Sequence, residues 1–242
     1  METMKAVIFD GSLRYVENYP LPEMKAGWAR IMVQSAGICK TDLEIMKGYM
    51  GYKGVLGHEF VGVVESCQDE AWAGKRVVGD INAACGRCDW CTRGLGHHCP
   101  NRTTLGIDGL DGCMAEYCVL PVENLFIVEP DISHDRAVLT EPLAAACEVL
   151  DQLALTGSER TIVLKSTVAN QGGINLAPIV VNEITVVGSR CGSFPDALKM
   201  MRDVSDMPLE RLVTGRYPLH AADQAFAEAR SGRALKVLLE IE

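Results

Sequence analysis

No apolar run in this 242-residue chain approaches the roughly 20 residues that a membrane-spanning helix requires; the longest, 177–181 and 184–188, fall far short. Positive charge is also scarce: 23 Lys and Arg against 32 Asp and Glu leave a formal net charge of −9, with no local basic cluster. Such a surface repels phosphate backbones, so nucleic acid is not an expected partner. The first residues lack a charged leader followed by an apolar stretch and a small-residue cleavage site, and a cytoplasmic protein is expected. Repeats and low-complexity tracts are missing as well. Ten cysteines are too few for a disulfide scaffold in a chain this long, and their uneven placement points to metal. What is present, 48% hydrophobic and 23% charged residues, suffices for a full core under an ordinary soluble surface.

The first half is rich in β signals. Short alternating or β-branched runs at 5–9, 13–17, 29–36, 61–65 and 115–120 are separated by Gly, Pro and Asp, as in a small barrel. Helices come later, at 143–155 with Thr140 as cap and Pro142 in the first turn, then at 194–204 and 221–230. Between the first two lie β-branched runs at 161–164 and 184–187, of the kind found in buried parallel strands, and 235–241 reads as a last strand. The fold class is α+β, mainly β with helices.

Cys85, Cys88, Cys91 and Cys99 form C-x2-C-x2-C-x7-C. Four thiolates satisfy a tetrahedral d10 zinc and leave no open position, so such a site folds a lobe and does no chemistry. Tetrathiolate iron, the centre of an electron carrier, fits the same spacing. His97 and His98 beside Cys99 read as surface residues of the loop. A second, dispersed set comprises Cys39 in GICKTDLE, His58 and Glu59 in GHEF, and Glu141 in TEPL. Singly each reads as packing or helix-start charge. Together they supply the mixed N, S and O ligands of a catalytic zinc with an open position. Asp42 is then a partner for the other ring nitrogen of His58.

GICKTDL, GHEFVGVV, GKRVVGD, the four-cysteine lobe and GCMAEYCVLP resemble, in order, the medium-chain zinc-dependent alcohol and polyol dehydrogenases. The resemblance implies a GroES-like β-barrel catalytic domain over 1–155 with a structural zinc lobe at 82–102. It makes Cys39 and His58 catalytic zinc ligands and Glu141 the third ligand or a water-binding acid. Glu59 becomes an alternate ligand, Thr41 the hydroxyl that relays the alcohol proton, and Asp42 the acid behind His58. Arg190 in GSRCGS resembles a cofactor-phosphate contact. Two zinc ions per chain and reversible NAD(P)-linked oxidation of a small alcohol to a carbonyl compound follow from the same resemblance.

One part of that pattern is missing. The helix beginning at EPLAAACEVL should lead into a doubly wound domain opened by a G-x-G-x-x-G turn, yet neither the glycines at 172 and 173 nor those at 106, 109 and 112 have that spacing or setting. The chain passes through TGSER, a deletion joint at 156–160, into 161–190, a remnant of the cofactor domain's last strands; 191–242 returns to the catalytic domain. Tight NAD(P) binding and turnover are therefore not expected of this chain. The apolar segment 174–188 resembles the strand region through which the family joins cofactor domains, and a β-branched edge without its neighbours invites pairing with another chain, so a homodimer is expected. A non-catalytic zinc module using the barrel as an interaction surface is the rival reading.

Overall fold

The computed structural model describes residues 2–158, 160–166, 168, 169, 173 and 175–241. Glu159 of the joint and Gly172 and Ile174 of the following segment lie outside the described residues. The chain opens with β1 (Thr3–Phe9), β2 (Leu13–Pro20) and β3 (Trp28–Ile38), then α1 (Lys40–Ile45), β4 (Gly54–Val55), β5 (Glu59–Cys67) and β6 (Arg76–Gly79). A lobe follows, with β7 (Asn82–Ala83), α2 (Asp89–Thr92), β8 (Thr103–Leu105) and β9 (Gly109–Leu110). Next come β10 (Tyr117–Pro121), β11 (Leu125–Ile127), α3 (His134–Val138) and α4 (Thr140–Thr156). The remainder is β12 (Thr161–Leu164), α5 (Ala177–Val181), β13 (Thr185–Gly188), α6 (Phe194–Asp203), β14 (Val213–Pro218), α7 (Ala222–Arg230) and β15 (Lys236–Glu240).

The largest sheet has seven strands, in the order β11-β6-β5-β3-β15-β14, with β10 also on β3. One edge of β3 pairs with β5, and the other is shared by β10 at 28–32 and β15 at 35–38. Register shifts at Arg30/Ile31 and Val33/Ser35 bend β3 so that one long strand can serve all three partners. The expected barrel is therefore not a closed one: among the described residues β11 and β14, the two ends of the sheet, do not pair. Sheet β2-β1-β4 packs against it instead, and Val7, Ile31, Val33, Leu56 and Leu239 share one core. Phe226 of α7, fully buried in that core, contributes about 2–3 kcal/mol of apolar burial.

A second core lies on the other side of the large sheet, where Val61, Val78 and Leu238 meet Val138, Ala144, Phe194 and Met201 from α3, α4 and α6. Thr140 does not cap α4. Leu139 holds that position, and the Thr140 hydroxyl donates to the Ala137 carbonyl at 2.7 Å, because α3 ends immediately before and its last carbonyls need donors. The segment 174–188 is only partly strand. Pro178 sits in the first turn of α5, and Thr185–Gly188 alone pairs, in parallel, with β12. These two strands form a sheet of their own.

Arg136, buried in α3, ties α6 in place. Its guanidinium donates to the carbonyls of Met201, Val204, Ser205 and Met207 at 2.7–3.2 Å, satisfying the unpaired end of α6. Arg136→Met keeps the stem and strands those acceptors, so a loss of about 2–4 kcal/mol is expected. Urea unfolding measures it; a loss below about 1 kcal/mol contradicts the clamp.

Candidate metal centre

Cys39 stands where β3 gives way to α1, and it is the helix N-cap: its Sγ accepts from the Thr41 amide at 3.5 Å. Asp42 completes the cap, its Oδ2 accepting the Cys39 amide at 2.8 Å. The other oxygen accepts the Gly57 amide at 3.2 Å and lies 3.6 Å from His58 Nδ1, both side chains being buried. With Nδ1 turned to Asp42, Nε2 is the nitrogen left for a ligand role. Gly57 has φ +95°, and a side chain there would strike Met114, so the turn that delivers His58 requires glycine. Burial, which lowers the His58 pKa, is outweighed by the charges of Asp42 and Cys39, and the imidazole titrates well above its usual range.

Because Gly37 pairs in register with Glu59, the end of β3 and the start of β5 bring the thiol, imidazole and carboxylate together. Ligand atoms of Cys39, His58 and Glu59 all lie within 4.8 Å of one another. Glu59 is buried against Gly37, where a Cβ would come within 2.3 Å of Oε2. Its carboxylate is paired with the Lys236 ammonium, which also donates to the Ile38 carbonyl at 3.3 Å. Burial alone would lower the Lys236 pKa; Glu59 and Cys39 outweigh it and raise it. No motif foreshadows Lys236. The only signal is a lone charge heading the apolar strand KVLLE, and its meaning depends on the pairing of β15 with β3.

Glu141, in the first turn of α4, lines the same cleft without joining that close cluster. Burial, with help from Glu59, pushes its carboxyl up to about 7 against the opposing charges of His58, Lys236 and Lys165. The Thr41 hydroxyl is 3.7 Å from Cys39 Sγ. Cys39, Thr41, His58, Glu59 and Glu141 line a cleft of about 830 Å³, another part of whose wall comes from the ends of β12 and β13.

The four remaining metal-ligand candidates, Cys85, Cys88, Cys91 and Cys99, form a separate cluster whose sulfurs also lie within 4.8 Å of one another. Sulfur pairs stand at 3.5, 3.7 and 4.0 Å. These match the edge, about 3.8 Å, of a tetrahedron with metal–sulfur arms of about 2.3 Å. The Arg87 and Cys88 amides, with the Cys99 thiol, hold the Cys85 thiol down to about 6. His97 is no free surface residue: its Nε2 lies 2.5 Å from Asp80 Oδ2. Arg190 is likewise engaged, donating to Asn82 Oδ1 at 2.7 Å and the His97 carbonyl at 3.1 Å, at the cleft edge where a cofactor-phosphate contact is expected.

The fold is that of a GroES-like domain of the dehydrogenase type. Residues 25–130 match the alcohol dehydrogenase GroES-like domain family. The chain is 33% identical over 183 residues to an erythritol/L-threitol dehydrogenase of Mycolicibacterium smegmatis, covering 67% of this chain and 51% of the relative. It is 32% identical over 234 residues to an L-threonine 3-dehydrogenase of Streptomyces avermitilis, covering 92% and 64%. Among solved structures, an alcohol dehydrogenase of Escherichia coli CFT073 complexed with NADH shares the fold, with a TM-score of 0.82 at 20% identity over 98% of this chain and 99% of that one. The chain belongs to the medium-chain zinc-dependent alcohol dehydrogenase family. It spans from about half to just under two thirds of the length of these curated relatives, 51% and 64%.

Since Asp42 is the group that faces His58 from behind, Asp42→Asn is expected to weaken zinc binding at the Cys39 cluster about 10- to 100-fold and to leave the four-thiolate cluster unchanged. Competition with a chromophoric chelator reads both. An equal loss at both clusters, or none at the first, contradicts the role given to Asp42.

Proposed function

We infer that this chain is the zinc-holding catalytic part of an alcohol or polyol dehydrogenase, with two zinc ions, and that in its shortened form it neither binds NAD(P) tightly nor turns over an alcohol. The observation that carries the reading is the pair of separate clusters: four mutually close thiols in a lobe, and a mixed thiol, imidazole and carboxylate set opening on a cleft. The donor chemistry fits zinc in both places. Cys85, Cys88, Cys91 and Cys99 would hold the structural ion. Cys39 and His58 would hold the catalytic one, with Glu59 or Glu141 supplying the oxygen. Zinc bound there supplies a Lewis acid toward the substrate oxygen. Thr41, beside Cys39, would relay the alcohol proton, accepting it at Oγ1 as its own hydroxyl proton passes outward, and the Glu141 carboxyl, pushed up to about 7 by burial, can hold a proton near neutral pH. Asp42, 3.6 Å behind His58 Nδ1, would orient the ring, and Lys236 holds Glu59.

The substrate class is a small alcohol or its carbonyl counterpart, supported by relatives named for erythritol, L-threitol and L-threonine. The proposed division is a catalytic domain at 1–155 with its lobe at 82–102, a joint at 156–160, cofactor-domain strands at 161–190 and a returning part at 191–242. No helix among the described residues is long and apolar enough to cross a membrane. A cytoplasmic location is supported by ten free thiols, which a reducing compartment preserves. Exposed Leu176, Val180 and Val181 support a homodimer.

Arg190 is bonded to the lobe, and one partly exposed charge is worth little against the entropy of fixing a flexible dinucleotide. Calorimetry with NAD and NADP, and an alcohol oxidation assay, are expected to find very weak binding and no turnover. The same chain with a dinucleotide-binding domain inserted between Leu155 and Thr161 is expected to recover both. Micromolar affinity or measurable oxidation by the short chain overturns the reading.

A further inference from the structure

β12 and β13 are parallel and in register from Thr161↔Thr185 to Leu164↔Gly188, so Lys165 and Ser189 are the first residues beyond their carboxyl ends. In open parallel sheets, ligands bind in the crevice outside that edge. Here the edge opens on the cleft that Cys39, His58 and Glu141 also line. Lys165 Nζ donates to Ser189 Oγ at 3.2 Å, and among the described residues no carboxylate lies within ion-pair distance of it. An ammonium has three donors, so Lys165 keeps capacity for another acceptor. Burial, before any charge, is what lowers its pKa.

The rest of the wall has the same imbalance. Arg102 lines the cleft with a buried Nε that has no hydrogen-bond partner, its Nη1 being taken by the Cys99 carbonyl. Three carboxyl groups face this wall: Glu59 is already neutralised by Lys236, burial pushes Glu141 up to about 7, and Asp108 is set against the further cations Lys40 and Arg190. In a chain of net charge −9, a wall that carries Lys40, Arg102, Lys165 and Arg190, with no carboxylate paired to Lys165 or Arg102 among the described residues, is a local reversal of sign.

We propose that the cleft takes a ligand bearing an oxyanion, a carboxylate or a phosphate, and seats that group on the Lys165 ammonium and the Ser189 hydroxyl. The substrate alcohol is then an acid alcohol or an alcohol phosphate, and a neutral polyol is the poorer ligand. This deepens, and rests on, the reading of the cleft as the alcohol site. Lys165 is a specificity-determining residue in it, and Arg102 contributes positive potential from the lobe side.

Three probes on one carbon skeleton test this: glycerol, glycerate and glycerol 3-phosphate, titrated by calorimetry into the zinc-loaded full chain. At least one anion is expected to bind tenfold or more tightly than glycerol, the range of a charge-assisted hydrogen bond. Which anion gains separates a carboxylate from a phosphate ligand. Lys165→Met, which keeps the stem, is expected to erase that gain and leave glycerol unaffected; Lys165→Arg is expected to retain most of it, and unchanged melting temperatures certify both variants. The titrations are repeated in Cys39→Ser, with the metal content measured. A Lys165-dependent gain that survives there, beside a wild type holding no metal at Cys39, upholds the oxyanion site and sinks the zinc reading. A zinc-loaded chain that prefers neither anion, or whose preference is unchanged in Lys165→Met, overturns the oxyanion site and spares the zinc reading.

Discussion

Asp42 has no exposed surface, and each of its oxygens is committed: one accepts the Cys39 amide, the other the Gly57 amide while facing His58 Nδ1 at 3.6 Å. A buried carboxylate is tolerated only when it is paired and hydrogen-bonded, and here the groups that satisfy it belong to the two chain segments that carry the thiol and the imidazole. The start of α1, the positive-φ turn at Gly57 and the orientation of His58 are thereby one arrangement. Loss of the carboxylate would loosen a helix cap and a ligand together. Behind Glu59 a parallel solution recurs, with Lys236 reaching from β15 across to the start of β5.

How much of this was readable in the amino-acid order depended on range. Four cysteines within fifteen positions announce themselves by spacing alone, and their sulfurs do converge. Cys39, His58, Glu59 and Glu141 carry no local signal singly; their mixed donor types suggested a set, and resemblance to a family gave each its role. The first three meet in space, and Glu141 lies apart in the same cleft. Lys236 was not legible, because it acts on Glu59 across 177 positions through a strand pairing that periodicity does not disclose. Most strands and the later helices follow their apolar patterns to within a few residues. The failures have physical causes. Thr140 is diverted from capping by the carbonyls of a helix ending just before it, α5 takes an apolar run as helix where a strand edge was expected, and the bends in β3 let it serve several partners without closing a barrel.

The two sides of the cleft are unequal. On one, the thiol, imidazole and carboxylate are set by strand register, a helix cap and the buried charges of Asp42 and Lys236. On the other, the two short strands β12 and β13 form a sheet of their own, and the residues at their ends leave Lys165 with spare donors. A glycine turn at a helix N-terminus, which would receive a pyrophosphate, is not in the sequence. On the proposed reading the chain would keep a place for an alcohol oxygen more fully than a place for a hydride acceptor, and loss of positioning alone removes many powers of ten in rate.

That two metal sets of opposite kind coexist in one chain is most directly tested by counting ions. Elemental analysis of purified protein is expected to find two zinc per chain in the wild type. Cys39→Ser should retain one with its melting temperature nearly intact, whereas Cys91→Ser should lose the other and unfold the lobe. One zinc or none in the wild type, or two in Cys39→Ser, would contradict the assignment of a closed structural set and a separate open one.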